Sequence, residues 1–442
     1  MGVMGRVRRT ALAGAAALGL AAAALPGAAH AGEQAPQPVP TYRAAKGAKA
    51  VEGQPSTADA PLLEAGNIYE DTLAPGERVY RLVLKKDQSN VYVSAVARPA
   101  PGAKVSYGDG IAVEIMNTAG TSCPGSAGSS SLGYNPALVS AAGVRWGVED
   151  HDCAPAGVYY AKVTRTSAKG SDPSPWPLEL RVQREPGRGP GGPTAAPSAW
   201  PSGTPAALPG TEAVGRTGGT GFNDARAVDA GVWRDELRPG QTRFYRVPLD
   251  WGQQLGLSAE LAKAKMTKQF GAASGGLVVS LYSPYRDPVM AEDTSYDGKQ
   301  AGITLEKTPP VAYENRYASD PDVQPVGIAG WYYIAVTMGA KVAEFTEDAT
   351  PVPLTLRMEV TGTPAKAPAY TESLAAGGFG VGDADRAAAK EGLTAPEAAQ
   401  AAGKHSAMRV VAGAGFGTGT LLLLVLGGWI LLARRGRGAT AG

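Results

Sequence analysis

Five blocks of this 442-residue chain occur twice in the same order. Ala58-Asp59-Ala60 with Ala65-Gly66 returns as Asn223-Asp224-Ala225 with Ala230-Gly231. Tyr69-Glu70-Asp71-Thr72-Leu73-Ala74-Pro75-Gly76 returns as Trp233-Arg234-Asp235-Glu236-Leu237-Arg238-Pro239-Gly240. Arg78-Val79-Tyr80-Arg81-Leu82 pairs with Arg243-Phe244-Tyr245-Arg246-Val247, and Ala156-Gly157-Val158-Tyr159-Tyr160 with Ala329-Gly330-Trp331-Tyr332-Tyr333. Pro177-Leu178-Glu179-Leu180-Arg181 closes the first series and Pro353-Leu354-Thr355-Leu356-Arg357 the second. A duplication limits the fold more than any other feature here, because each copy must be a unit that closes its own core. The offset grows from about 164 to 176 residues, which places insertions in the second copy, mostly between Ser280 and Gly330.

The repeated blocks read as strands. Leu178, Leu180 and Val182 alternate with Glu179 and Arg181, and Leu354, Leu356, Met358 and Val360 alternate with Thr355, Arg357 and Glu359. A period of two with one apolar and one wet face describes an antiparallel sheet packed on one side. Pro75-Gly76 and Pro239-Gly240 are turn signals ahead of strands. The predicted fold class is therefore all-β, with two tandem antiparallel β-sandwiches over 51–184 and 211–362. Residues 32–50 read as disordered, 185–210 as a mobile Pro/Gly linker, and 363–409 as an Ala/Gly-rich stalk with a weak helix broken at Gly392 and Pro396.

Several of these segments resemble the bacterial pre-peptidase C-terminal domain. They are Pro239-Gly240 through Val247, Leu257-Ser258-Ala259, Leu277 through Tyr282, and Ala329-Gly330-Trp331-Tyr332-Tyr333-Ile334-Ala335-Val336. The first copy matches at Pro75-Gly76, Val93-Ser94-Ala95, Ile111 through Met116, and Gly157 through Val163. The resemblance implies accessory, jelly-roll-like domains of the kind attached to secreted proteases, some of which bind matrix proteins or polysaccharide. No protease precedes them in this chain.

The two ends give an address. Arg6, Arg8 and Arg9 precede an uncharged Ala/Leu run and the small-x-small site Ala29-His30-Ala31, the pattern of a signal peptide over 1–31. Residues 410–433 are uncharged and long enough for a single transmembrane helix, and Arg434, Arg435 and Arg437 hold the tail 434–442 in the cytoplasm. No sortase-type site precedes that run. The predicted location is the cell membrane, with both β-domains extracellular.

Setting those six arginines aside leaves 36 Lys+Arg against 40 Asp+Glu, which argues against a nucleic-acid-binding face. Cys123 and Cys153 are the only cysteines, and on the outer side they are expected to form a structural disulfide. With His30 removed by cleavage, only His151 and His405 are left for a catalytic triad, and zinc lacks a convincing ligand set. Gly128-Ser129-Ser130-Ser131-Leu132-Gly133 has one residue too many for a nucleophile elbow. Asp293, Asp297, Asp320 and Asp322 are oxygen ligands of the type calcium uses, but solvated loop acids usually bind nothing. No catalytic residue, metal site or cofactor is assigned.

Tyr282, Tyr285, Tyr296, Tyr313 and Tyr317 in the insertion form the candidate binding loop, because Tyr joins stacking area to a hydrogen-bonding tip. The expected function is a non-enzymatic envelope protein. Its two sandwiches would bind a secreted or envelope protein, or a cell-wall glycan. The alternative is a peptidase-related enzyme or an accessory domain of a secreted hydrolase.

Overall fold

The computed structural model describes residues 41–404, apart from 86–88, 124, 126–127, 135–136, 148–151, 190–194, 207–210, 268–270 and 348–349, together with Leu426. The signal peptide, the tail and all of the 410–433 run except Leu426 lie outside these residues, as do His30, His151 and His405. Among the described residues, no helix is long and apolar enough to cross a membrane.

Each copy supplies eight main strands in the same order. Copy 1 has β1 (Ile68–Leu73), β2 (Gly76–Leu84), β3 (Asn90–Ala97), β4 (Gly110–Asn117), β5 (Gly128–Ser131), β6 (Val139–Arg145), β7 (Gly157–Thr166) and β8 (Trp176–Glu185). Copy 2 has β9 (Gly231–Leu237), β10 (Thr242–Leu249), β11 (Gln254–Leu261), β12 (Ala273–Tyr282), β13 (Pro288–Tyr296), β14 (Ala301–Leu305), β15 (Gly330–Met338) and β16 (Val352–Thr361).

In copy 1 the sheets run β1-β8-β3-β6 and β2-β7-β4-β5, and in copy 2 β9-β16-β11-β14 and β10-β15-β12-β13. A two-residue strand pairs in parallel at one edge of every sheet, namely Lys49–Ala50, Leu62–Leu63, Val214–Gly215 and Arg226–Ala227. The main strands pair antiparallel throughout. The chain is therefore two tandem β-sandwiches of one topology.

The duplication extends to individual side chains. The Tyr80 hydroxyl donates to Asp71 Oδ2 at 2.7 Å, and Tyr245 donates to Asp235 Oδ2 at 2.7 Å. The same carboxylates accept from the Gly53 and Gly218 amides at 2.7 and 2.8 Å. A Cβ on Gly53 would come within 2.6 Å of the Tyr80 ring, and one on Gly218 within 2.9 Å of the Tyr245 ring. Glycine is what lets the incoming chain lie across each tyrosine.

Both copies belong to one compact unit. Leu73, Val91, Val93, Ile111, Val113, Val163, Leu178 and Leu180 fill the core of copy 1. Copy 2 is filled by Leu237, Tyr245, Leu257, Leu277, Val279, Ile334, Val336, Leu354 and Leu356. A third cluster joins Val96 and Leu138 of copy 1 to Phe244, Tyr282, Tyr333 and Ala335 of copy 2. The outer face of sheet β1-β8-β3-β6 thus packs on the outer face of sheet β10-β15-β12-β13. Every residue of β3 and β6 is buried, as expected of strands covered on both faces.

This packing corrects three expectations. The supposedly wet face of β8 is buried, with Glu179 and Glu185 fully enclosed. Within 32–50, Lys49–Ala50 is a strand, and the Ala45 amide donates to Glu179 Oε2 at 2.9 Å. The described parts of the linker lie against copy 2, where Lys307 N donates to Gly203 O and Gln254 Nε2 to Pro201 O.

The predicted stalk is likewise tied down. The Tyr370 hydroxyl donates to Glu185 Oε1 at 2.7 Å, Gly189 N donates to Ala369 O, and Phe379 is buried 5.4 Å from the Tyr92 ring. Helix α1 (Asp383–Glu391) ends at Gly392, whose φ of 74° favours glycine. A second helix, α2, follows over 395–404. Thr394 and Glu397 cap its start reciprocally, with Pro396 in the first turn.

Candidate functional site

Four of the five candidate tyrosines are packing residues. Tyr282, Tyr285, Tyr296 and Tyr313 are 6%, 4%, 1% and 3% exposed, and Tyr317 is partly buried. Tyr285 packs on Tyr92 of copy 1 with ring centroids 4.4 Å apart, and Tyr282 meets Phe222 edge-on at 5.1 Å. The Tyr296 hydroxyl donates to Ala262 O, while Tyr313 lies beneath the Arg316 guanidinium at 3.4 Å. Burial pushes the Tyr282 phenol up to about 12. Tyr282 also lines a surface cleft.

Cys123 and Cys153 form the expected disulfide, with Cα atoms 5.6 Å apart. It links the β4–β5 loop to the β6–β7 loop. Of the four insertion acids, Asp297 pairs with Lys299 at 3.0 Å and Asp320 accepts from the Asp322 amide at 2.9 Å. Among the described residues, no group of three or more His, Cys, Asp or Glu could hold a metal.

Charge crosses the seam between the copies at two places. Arg286, in the β12–β13 turn, places Nη1 2.6 Å from Glu179 Oε1 and donates through Nη2 to Asn223 Oδ1 at 2.7 Å. It is the one described non-glycine residue with positive φ, at 66°, in a fully buried position. Arg316, from the enlarged loop after β14, makes two 3.0 Å bonds to the two carboxylate oxygens of Glu185. Glu185 also accepts from Asn90, Tyr92 and Tyr370. Burial opposes ionisation of both glutamates, but the facing arginines and added donors hold each carboxyl below its ordinary value. Among the described residues, Asp287 faces no such cation. Burial pushes it up to about 7, against a single bond from the Ala142 amide.

The seam opens to the surface beside these pairs. A cleft of about 260 Å³ lies between the β5 edge with its following loop and strands β12 and β13. Tyr107 and Tyr134 stand at its copy 1 side, 61% and 40% exposed, with ring centroids 5.0 Å apart at 72°. A Cβ on Gly275 would fall 2.2 Å from the Tyr134 ring, so glycine there seats a copy 1 tyrosine on copy 2. Ser130, Ser131 and Ser280 add hydroxyls, and Glu292 and Asp293 add carboxylates. This arrangement offers apolar ring faces next to acceptors and hydroxyls, a combination suited to a polyhydroxylated ligand.

Of the cleft's residues, Tyr282 and Asp293 are singled out by the sequence, and Tyr107 and Tyr134 are not. Their signal was local: Gly108 and Gly133 adjoin them, and neither tyrosine belongs to a period-two apolar run.

No family model matches the chain, and the comparison with curated proteins gave no match. Among solved structures, it is similar to the tandem CBM22 domains of Paenibacillus barcinonensis Xyn10C at 15% identity, over 67% of this chain and 92% of that one, with a TM-score of 0.18. It is also similar to the ANXUR1 extracellular domain of Arabidopsis thaliana at 9% identity, over 71% and 94%, with a TM-score of 0.19. Likeness at these scores assigns neither family nor function.

Proposed function

We propose that this is a non-enzymatic envelope protein that uses the seam cleft to bind a cell-envelope glycan. It would be exported behind a signal peptide cleaved after Ala31 and held by a single span over 410–433. The observation that carries the reading is the exposed, edge-to-face pair Tyr107 and Tyr134 beside Glu292 and Asp293. Sugar C–H faces can lie on the tyrosine rings while hydroxyls donate to the carboxylates. Five residues separate α2 from the apolar run, a reach of about 20 Å when extended, which would keep α2 close to the bilayer.

The test is sedimentation of the full chain with purified cell-wall polysaccharide. Tyr107→Ala and Tyr134→Ala should each weaken binding at least about tenfold, the loss expected of an aromatic contact near the centre of a site. Asp297→Asn, at a carboxylate paired on its own loop, should leave binding unchanged. Glycan binding that survives both tyrosine changes would rule out this cleft. A protein partner that depends on the same two tyrosines would replace the glycan.

A further inference from the structure

A second cavity lies along the seam, on the other side of Leu138 from the tyrosine cleft. Its volume is about 510 Å³, within the range of roughly 300–1,000 Å³ that small-molecule sites occupy. Its walls differ in kind from those of the cleft. Pro99, Pro101, Val105, Leu138 and Pro177 line it from copy 1, and Thr220, Gly240, Thr242 and Ala340 line it from copy 2.

Pro99, Pro101 and Pro177 carry no backbone N–H, and with Val105, Leu138 and Ala340 they present a mostly apolar surface that suits a hydrocarbon chain. Arg98 is the one cation among the described residues of this lining. Its guanidinium lies over Tyr42 at 4.9 Å and donates through Nη1 to Tyr42 O at 3.3 Å. Its buried Nε has no partner. A single arginine beside an apolar trough is complementary to an amphiphile with one negative head and one aliphatic tail.

We infer that this groove binds a long-chain carboxylate, with the acyl chain along the proline wall and the carboxylate on Arg98. The inference is independent of the glycan reading, because it uses another cavity and other residues.

The test uses the full chain in lipid nanodiscs with a photoreactive diazirine fatty acid, and adducts are mapped by mass spectrometry. Adducts are expected on residues 98–105 and around Ala340. Ala103→Trp and Ala340→Trp fill the groove from opposite walls at positions that are not buried, and each should lower that labelling at least tenfold. Arg98→Gln should lower labelling by the carboxylate probe and leave labelling by the matched long-chain alcohol unchanged.

A readout on the unsubstituted chain covers the case of a variant that misfolds. Saturated carboxylates competing with the probe should gain about fourfold in potency per added methylene, then level off once the groove is full. Labelling confined to 410–433, or groove labelling unaffected by either tryptophan, would overturn the inference. So would potency that climbs with chain length and never levels.

Discussion

The same two loops are fastened in opposite ways in the two copies. In copy 1, the β4–β5 and β6–β7 loops are joined to each other by Cys123–Cys153. Buried Arg145 braces that junction, donating to the carbonyls of Cys153 and Ser89. In copy 2, the equivalent loops carry Arg286 and Arg316, which leave their own sandwich and pair with Glu179 and Glu185 of copy 1. One pair of loops closes a domain and the other closes an interface. Duplication supplied the frame, and divergence of two loops decided what each copy holds.

The last strands repeat the contrast. Along β8, Glu179, Gln183 and Glu185 are buried under copy 2, whereas Thr355, Arg357 and Glu359 of β16 are only half-buried. Arg357 and Glu359 pair with Glu260 and Lys307 at 3.4 and 3.1 Å, partners within their own sandwich. The packing is head-to-tail. The face of copy 1 that meets copy 2 is topologically the one on which copy 2 carries the linker, where Ala206 N donates to Glu359 Oε2 at 2.8 Å.

The sharpest way to break the comparison is Glu185→Gln. It removes the charge opposite buried Arg316 and should cost about 3–5 kcal/mol in urea unfolding. Glu185→Gln combined with Arg316→Met should cost less, because no unpaired charge remains and the amide oxygen still offers an acceptor to the Asn90, Tyr92 and Tyr370 donors. Equal losses would mean that the ion pair itself supplies the stability of the seam.

Next comes Cys123→Ser with Cys153→Ser. This should cost about 3–4 kcal/mol in the chain-entropy account, and amide exchange should rise in copy 1 alone. Exchange rising equally in copy 2 would show that the two fastenings are not separate.

Tyr80→Phe and Tyr245→Phe test the equivalence of the frames. Each removes one hydrogen bond to a carboxylate and should cost about 1.5–3 kcal/mol. The two values should agree within about 0.5 kcal/mol, the scatter expected of independent equivalent sites.

The smallest effects are expected from pH. Glu179 and Glu185 have folded pKa values below their unfolded ones, so their contribution is complete above the unfolded value. It is lost as pH falls through the folded values. Asp287 has the opposite sign. Its folded value of about 7 exceeds the unfolded one, so its contribution is complete in acid and lost as pH rises through 7. Asp287→Asn should raise Tm by a few degrees at pH 8 and change it little at pH 5.

Much of the frame was legible because local patterns repeat. Leu178, Leu180 and Val182 point into a core, as their spacing implies. The burial of Glu179 and Glu185 was not legible, because a charged residue on a strand reads the same whether it faces water or an arginine 107 or 131 residues away. The tyrosines of the insertion look like a surface in the sequence for a similar reason. Sequence separates aromatic from aliphatic residues, but it does not separate a loop held open from one folded down onto a neighbour. Tyr107 and Tyr134 belong to copy 1, where no insertion drew attention to them.

The segment 363–404 has a consequence for the order in which the molecule can be completed. Glu185 receives a donor from Tyr370, 185 residues later, and Gln183 Nε2 donates to Gly377 O at 3.2 Å. A nascent chain that has released copy 1 can offer Glu185 the Asn90 and Tyr92 donors of its own sandwich, but Arg316, Tyr370 and the Gly377 carbonyl arrive with copy 2 and the segment beyond it. The seam is therefore among the last parts to form. A chain stopped at residue 362 would contain every strand of both sandwiches and still leave that junction unfinished.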